Sequence, residues 1–278
     1  MRPTRVLLFG VLLAAVAAPV LVTGATHAGF TTSTATDGST ITAFTEGTPV
    51  TDGLVLELRA DDLTLTDGDP VSLWPDTSGQ GNDAAQTTAA DRPTLVEDAL
   101  NGLPVVRFDG ASSYLELPDS VDAGAPEVEV FAVVRATGPG MVLMSATDIG
   151  SSSEQFLILR RRSDQPDWRV SVDNDRGGVD FATPWEDGAP RLVGARYERS
   201  AGEMHVRVDG EPDNTTTDAN LGTLALTGTT VNLGRDTRNS SHLDGDIAEF
   251  VMFDRVLTAA EREQVEDYLE DKWLEEAP

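Results

Sequence analysis

The chain has 278 residues, with 47 Asp and Glu against 20 Lys and Arg, for a net charge of −27. No basic patch is available to neutralise phosphates, which excludes nucleic acid as a partner. Cysteine is absent, which excludes disulfides, a thiolate zinc site and a lipid-modified cysteine. Hydrophobic residues make up 40%, enough for a sizeable core. The roughly 230 to 250 residues left after a leader suit one β-sandwich domain. Lys272 is the only lysine. Acidic excess with lysine nearly absent is the composition of a salt-adapted protein, because dense carboxylates are screened where the Debye length falls to about 3 Å at 1 M. The alternative is an ordinary acidic secreted protein.

Residues 1–28 read as an export signal. Arg2 and Arg5 give a basic start, Val6 to Val22 is an apolar run, and small residues lead to Ala28. The alternative is an uncleaved anchor, the one way the chain would touch a membrane; the run is slightly short for a span and carries Pro19. No twin arginine is present, which points to the general secretory route. Residues 29–50 form a Thr/Ser-rich spacer or N-terminal strand. Thr26-His27-Ala28 followed by Gly29-Phe30 and a Thr/Ala repeat resembles the leader and mature start of camelysin-like secreted fibre proteins. That resemblance implies strand donation to a neighbouring subunit; a flexible spacer is the other reading.

The domain covers residues 51–278. Leu54 to Arg59 is its first strand, followed by turns at Asp61-Asp62 and Asp67 to Pro70. Between Trp74 and Leu117 a turn cluster gives way to two alternating runs separated by Gly110. Val106 and Phe108 share one face against Arg107 and Asp109; Leu115 and Leu117 point inward if Tyr114 and Glu116 point out. Glu127 to Arg135 is apolar on both faces after Glu129, as in a central strand covered on each side. Gln155 to Arg160 is another buried run, and Trp168 to Asp173 alternates. Arg191 to Glu198 precedes Glu203 to Asp209, in which Met204, Val206 and Val208 face inward up to an Asp209-Gly210 hairpin signal. Thr230 to Gly234 and Ile247 to Phe253 complete the strands. Thr258 with Glu261 makes a capping box for one helix, lined by Val265, Tyr268, Leu269 and Trp273.

Many short strands with turns between them mean a sandwich or barrel. The stretch Trp74–Leu117 and the closing order of a Gly245-Asp246-Ile247-Ala248-Glu249-Phe250 strand, Phe253 to Thr258 and a helix resemble the laminin G-like jelly roll of the concanavalin A-like lectin/glucanase superfamily. The resemblance spans about residues 53 to 275. It implies an all-β, jelly-roll β-sandwich (concanavalin A-like) with a C-terminal α-helix. Relatives carry Asp where this chain has Ala248, so no metal role carries over to that spot.

Four kinds of chemistry are open to such a fold. Glucanases of the superfamily use a strand with two glutamates, about 5 to 5.5 Å apart in a retaining mechanism. The nearest match is Asp244-Gly245-Asp246-Ile247-Ala248-Glu249, with Asp in the nucleophile's place and a glycine in the strand, so the expectation is a non-enzyme. His205, on an outward face, and His242, in a Ser-rich turn, read as solvated. Asp76, Ser78, Asn82 and Asp83 present oxygens suited to a structural Ca²⁺, although the same residues are ordinary turn formers. For a glycan, Trp168, Asp173, Asn174, Asp175, Arg176 and Trp185 supply an aromatic platform and hydrogen bonders, unless Trp168 and Tyr197 belong to the core. Asn214 and Asn239 begin glycosylation sequons on expected loops. The reading is an exported, non-catalytic, lectin-like domain at the cell surface or outside the cell, binding carbohydrate or a cell-surface protein. A fibre subunit or a glycoside hydrolase or lyase are the alternatives.

Overall fold

A computed structural model describes residues 47–121, 127–136, 142–147, 155–162, 165–172, 175–183, 188–217, 230–236 and 241–274, and only the backbone at 142, 146–147 and 155–177. The chain divides into residues 1–42 and 43–278, and every described residue belongs to the second unit. The export signal and nearly all of the Thr/Ser-rich segment lie outside the described residues.

The strands run, in chain order, β1 (Leu54–Arg59), β2 (Leu73–Trp74), β3 (Ala84–Ala85), β4 (Thr94–Leu100), β5 (Leu103–Asp109) and β6 (Leu115–Leu117). Next come β7 (Val128–Ala136), β8 (Val142–Thr147), β9 (Gln155–Arg162), β10 (Gln165–Val172), β11 (Asp175–Asp180) and β12 (Pro190–Glu198). The last are β13 (Glu203–Val208), β14 (Glu211–Thr217), β15 (Thr230–Leu233), β16 (Arg235–Asp236), β17 (Ser241–His242) and β18 (Asp244–Phe253), followed by helix α1 (Ala259–Trp273). One antiparallel sheet has the order β14-β13-β12-β7-β18-β5-β4, with β1 also on β18. The other has the order β11-β10-β9-β8-β15-β6-β3-β2, and β16 and β17 form a small ribbon. The protein is thus an all-β jelly roll with one C-terminal helix.

Strand parity builds the core. Val106 and Phe108 are buried and Arg107 and Asp109 exposed; Leu115 and Leu117 are buried beside an exposed Glu116; Met204, Val206 and Val208 are buried. Asp209 and Gly210 both adopt positive φ (50° and 71°), the pair of left-handed residues that a two-residue hairpin of matching twist needs. Asp109 organises the turn after β5. Its carboxylate accepts the amides of Ala111, Ser112 and Ser113 at 2.8–2.9 Å. Burial pushes this carboxyl up, but those donors and the Ser112 hydroxyl outweigh it and hold it well below the usual carboxylate range.

β7 is covered on both faces. Val128, Val130, Ala132 and Val134 point to one side and Glu129, Phe131 and Val133 to the other, and all seven are buried. The second side lies under α1, where Val265, Leu269 and Trp273 are fully buried. Phe131 meets Phe253 there edge-on, at 6.3 Å between ring centroids and 86° between planes. The helix begins with the expected capping box: Thr258 Oγ1 accepts the Glu261 amide at 3.3 Å, and Glu261 Oε2 accepts the Thr258 amide at 2.8 Å.

α1 is also fastened by charge. Arg262 pairs with the buried Glu129, and Arg207 with Glu266 at 2.5 Å. Lys272, only 9% exposed, donates to Glu249 Oε2 at 2.9 Å and to Asp61 at 3.0 Å, with its ammonium 4.7 Å from the Trp273 ring centroid. One α-helix thus closes the outer side of one sheet through apolar contacts and buried ion pairs together.

Candidate functional site

The glucanase-like stretch lies on β18. A bulge between Ile247 and Glu249 opposes Glu249 to Val133, while Asp246 opposes Arg135. Two carboxylates three apart would ordinarily face opposite ways; the bulge turns both toward the α1 side. Asp246 sits in a fork formed by Arg107, at 2.7 and 3.0 Å, and by Arg135. Glu249 is 0% exposed and is contacted by Lys272 at 2.9 Å, Trp273 Nε1 at 2.8 Å and Tyr268 Oη at 3.3 Å. Burial pushes the Glu249 carboxyl above its ordinary value, against the pull of Lys272 and Trp273. Gly245, expected to weaken this strand, instead permits it, since a Cβ there would stand 2.2 Å from the Arg135 carbonyl oxygen. Of the three acids in the motif, Asp246 and Glu249 are engaged inside the fold, Glu249 beneath a helix, whereas Asp244, in the nucleophile's place, is exposed opposite Asp109.

The proposed Ca²⁺ loop is saturated by its own donors. Asp76 accepts the amides of Glu57 (3.0 Å), Ser78 (2.9 Å) and Asn82 (2.9 Å) and the Ser78 hydroxyl (2.7 Å). Asp83 Oδ1 accepts the Asp76 amide at 2.8 Å, and Asn82 Nδ2 donates to the Val55 carbonyl at 2.7 Å. Four donors on one carboxylate occupy its lone pairs and turn partial positive charge toward any cation. As arranged, this loop does not fit Ca²⁺; it fixes the chain between β2 and β3.

The expected glycan residues are only partly described. Trp185, Asp173 and Asn174 lie outside the described residues, as does Asn239. Asp175 and Arg176 open β11, an edge strand, opposite Val172 and Ser171. Trp168 stands opposite Val179, which is buried. Tyr197 is in the core at 0% exposure. The described residues on either side of 184–187 are bonded to neighbouring strands. Asp213 on β14 accepts the amides of Ala182 (2.6 Å) and Thr183 (3.0 Å) and the Thr183 hydroxyl (2.5 Å), and Gly188 N donates to the Ala136 carbonyl at 3.0 Å. Asn214 lies in β14 opposite Val206, not in a loop, and its Nδ2 donates to the Asp180 carbonyl at 2.9 Å. The sequence Glu211–Thr217 has turn-like composition, yet it is drawn into the sheet by pairing along β13.

Beside the outer strands β12, β13 and β14 and the start of α1 runs a groove of about 180 Å³ lined by Glu129, Arg196, His205, Arg207, Thr215 and Arg262, among others. His205 is not a freely solvated residue, as expected, but half-buried. Its Nδ1 is 2.9 Å from Thr215 Oγ1 and its Nε2 2.9 Å from Glu203 Oε2. Burial lowers its pKa, helped by Arg196 and opposed by Glu203. His242, expected in a turn, is half-buried in β17. Sequence reasoning passed over Glu198, Glu203 and Asp213. Parity offers a signal for the first two, since Glu198 and Glu203 flank one hairpin turn and His205 follows on the same face.

The family model of the concanavalin A-like lectin/glucanases superfamily matches residues 109–261. No curated protein matches the chain in sequence. Among solved structures, domain 4 of AbnA, a GH43 extracellular arabinanase from Geobacillus stearothermophilus solved in complex with arabinotriose, is similar with a TM-score of 0.56 and 14% identity, over 77% of this chain and 97% of that one. The binding domain of Paraclostridial Mosquitocidal Protein 1 is similar with a TM-score of 0.56 and 12% identity, over 78% of this chain and 52% of that one. The binding domain of Botulinum neurotoxin serotype D gives 0.55 and 12%, over 80% and 52%. The chain therefore spans about half the length of the two toxin domains it resembles. With a family model covering more than half its length and two antiparallel sheets closed by a helix, this chain belongs to the concanavalin A-like lectin/glucanases superfamily.

Proposed function

We propose that the protein is a non-catalytic binding domain, exported and salt-adapted, whose partner is a carbohydrate or a cell-surface protein. The observation that carries this reading is the fate of Glu249, which stands in the general acid's place of the glucanase-like motif, and of Asp246 beside it. Asp246 is held between two arginines, and Glu249 is fully buried against Lys272 and Trp273. A general acid must reach its substrate within hydrogen-bond distance, and a carboxyl under a packed helix does not.

Two further points support binding. Described residues on both sides of Trp185 are bonded to neighbouring strands, Ala182 and Thr183 to Asp213 and Gly188 to Ala136, and fixed flanks limit the ordering cost of a binding segment between them. The similar arabinanase domain was solved with arabinotriose, so arabino-oligosaccharides are the first probes. Calorimetric titration with arabinotriose and a glycan array test the reading. Trp185→Ala is expected to weaken binding by about two- to tenfold, from about 0.5–1.5 kcal/mol for one aromatic contact. Hydrolysis of any glycan that disappears in Glu249→Gln would overturn the non-catalytic reading. An array without signal, together with unchanged binding to cell surfaces in Trp185→Ala, would overturn the glycan reading.

A further inference from the structure

Glu198 and Glu203 are cross-strand partners at the ends of β12 and β13, and His205 follows two residues later, opposite Arg196. All three side chains therefore emerge on the same face. A ligand atom from each lies within 4.8 Å of the others, and each residue is half-buried. The imidazole is already oriented, because Nδ1 meets Thr215 Oγ1 at 2.9 Å on the next strand. Its other nitrogen, Nε2, is shielded from solvent and stands 2.9 Å from Glu203 Oε2. Ligands about 2.0–2.2 Å from a shared cation stand about 2.9–3.4 Å apart, depending on the angle between them.

We propose that Glu198, Glu203 and His205 form a transition-metal site that takes Zn²⁺ or a cation of its class. One imidazole with two carboxylates is a donor set for a borderline ion, whereas Ca²⁺ asks for six to eight oxygens. Thr215 is the partner that holds the ring in place, the role commonly filled by a group behind a ligating histidine. Arg196, whose Nε is 3.3 Å from Glu198 Oε2, neutralises Glu198 in the metal-free chain, and the ion takes over that task when bound. Three protein ligands leave a fourth position for water, open toward the groove.

The test is titration of the chelator-stripped full chain with Co²⁺ in molar KCl, followed by visible absorption. One equivalent is expected to bind saturably, with a d–d band that Zn²⁺ removes and excess Ca²⁺ does not. His205→Gln and Glu203→Gln should each weaken binding at least about tenfold, with the circular dichroism of the fold unchanged. If His205→Gln fails to fold, Glu198→Gln at the end of β12 carries the same expectation. No saturable band, a band displaced by Ca²⁺, or a band of unchanged affinity in the variants would overturn the site and leave only loose association with an acidic surface.

Discussion

Replacing Lys272 by Met removes the ammonium that faces Glu249 and keeps the aliphatic stem. Glu249 is 0% exposed and Lys272 is 9% exposed, so the carboxylate would be left in a dry site with only the Trp273 indole and the Tyr268 hydroxyl as donors. Removing one partner of a buried pair costs about 3–5 kcal/mol, a large part of the roughly 5–15 kcal/mol that holds a domain folded. For a domain of this size each kcal/mol moves the midpoint by about 2–4 °C, giving a fall of about 6–20 °C. Thermal unfolding at constant molar salt measures it. Two internal controls bear on the cause. Glu249→Gln together with Lys272→Met should recover more than half the loss, since no charge then stays buried. The single variant should also lose less at pH 5 than at pH 8, because a carboxyl already raised by burial takes up a proton more readily once its cation is gone. A loss below about 1 kcal/mol, or a double variant no better than the single, would refute the argument.

Gly245→Ala should abolish folding or cost at least about 3 kcal/mol, above the usual range for overpacking, because its Cβ would meet a backbone carbonyl at 2.2 Å; chemical denaturation against Gly194→Ala, whose Cβ would meet its nearest neighbour, Arg207 Cβ, at an ordinary 3.4 Å, checks it. Glu261 is held near pKa about 2 by its bonds to Arg255 and to the Thr258 amide and hydroxyl, against an ordinary 4.5. A depressed folded-state value means stability present above about pH 4.5 and lost as pH falls toward 2. Hydrogen exchange should show the first turn of α1 opening across that window, and Glu261→Gln should flatten the change; an unaltered profile would rule Glu261 out as its source.

Alternation made much of the fold readable. Val106 with Phe108, Leu115 with Leu117 and Met204 with Val206 and Val208 were assignable because a strand with one apolar face repeats every two residues. Thr258 and Glu261 marked the helix start because a capping box is a local pattern. Glu57, Glu129 and Glu249 were not readable as buried. Parity tells which side of a strand a residue takes, not whether a distant helix later covers that side, and these carboxylates are interior only because covering segments bring partners to them. β14 was missed for a related reason: Glu211–Thr217 has no apolar face, and its register comes from backbone pairing with β13. The Asp76 loop was read for its oxygens, whereas the donors that fill them come from backbone amides that no sequence pattern displays.

The burial of Lys272 has a practical corollary. The chain holds one primary amine on a side chain, and that amine is locked between Glu249, Asp61 and an indole ring. Amine-directed crosslinkers and fluorophores therefore find no open side-chain amine while the domain stays closed, only the α-amine at the N-terminus, and any enzyme that acylates or methylates lysine finds its target shut away. Reaction at that nitrogen would report the unlatching of the last helix, so the lysine doubles as a built-in sensor of whether the jelly roll is sealed.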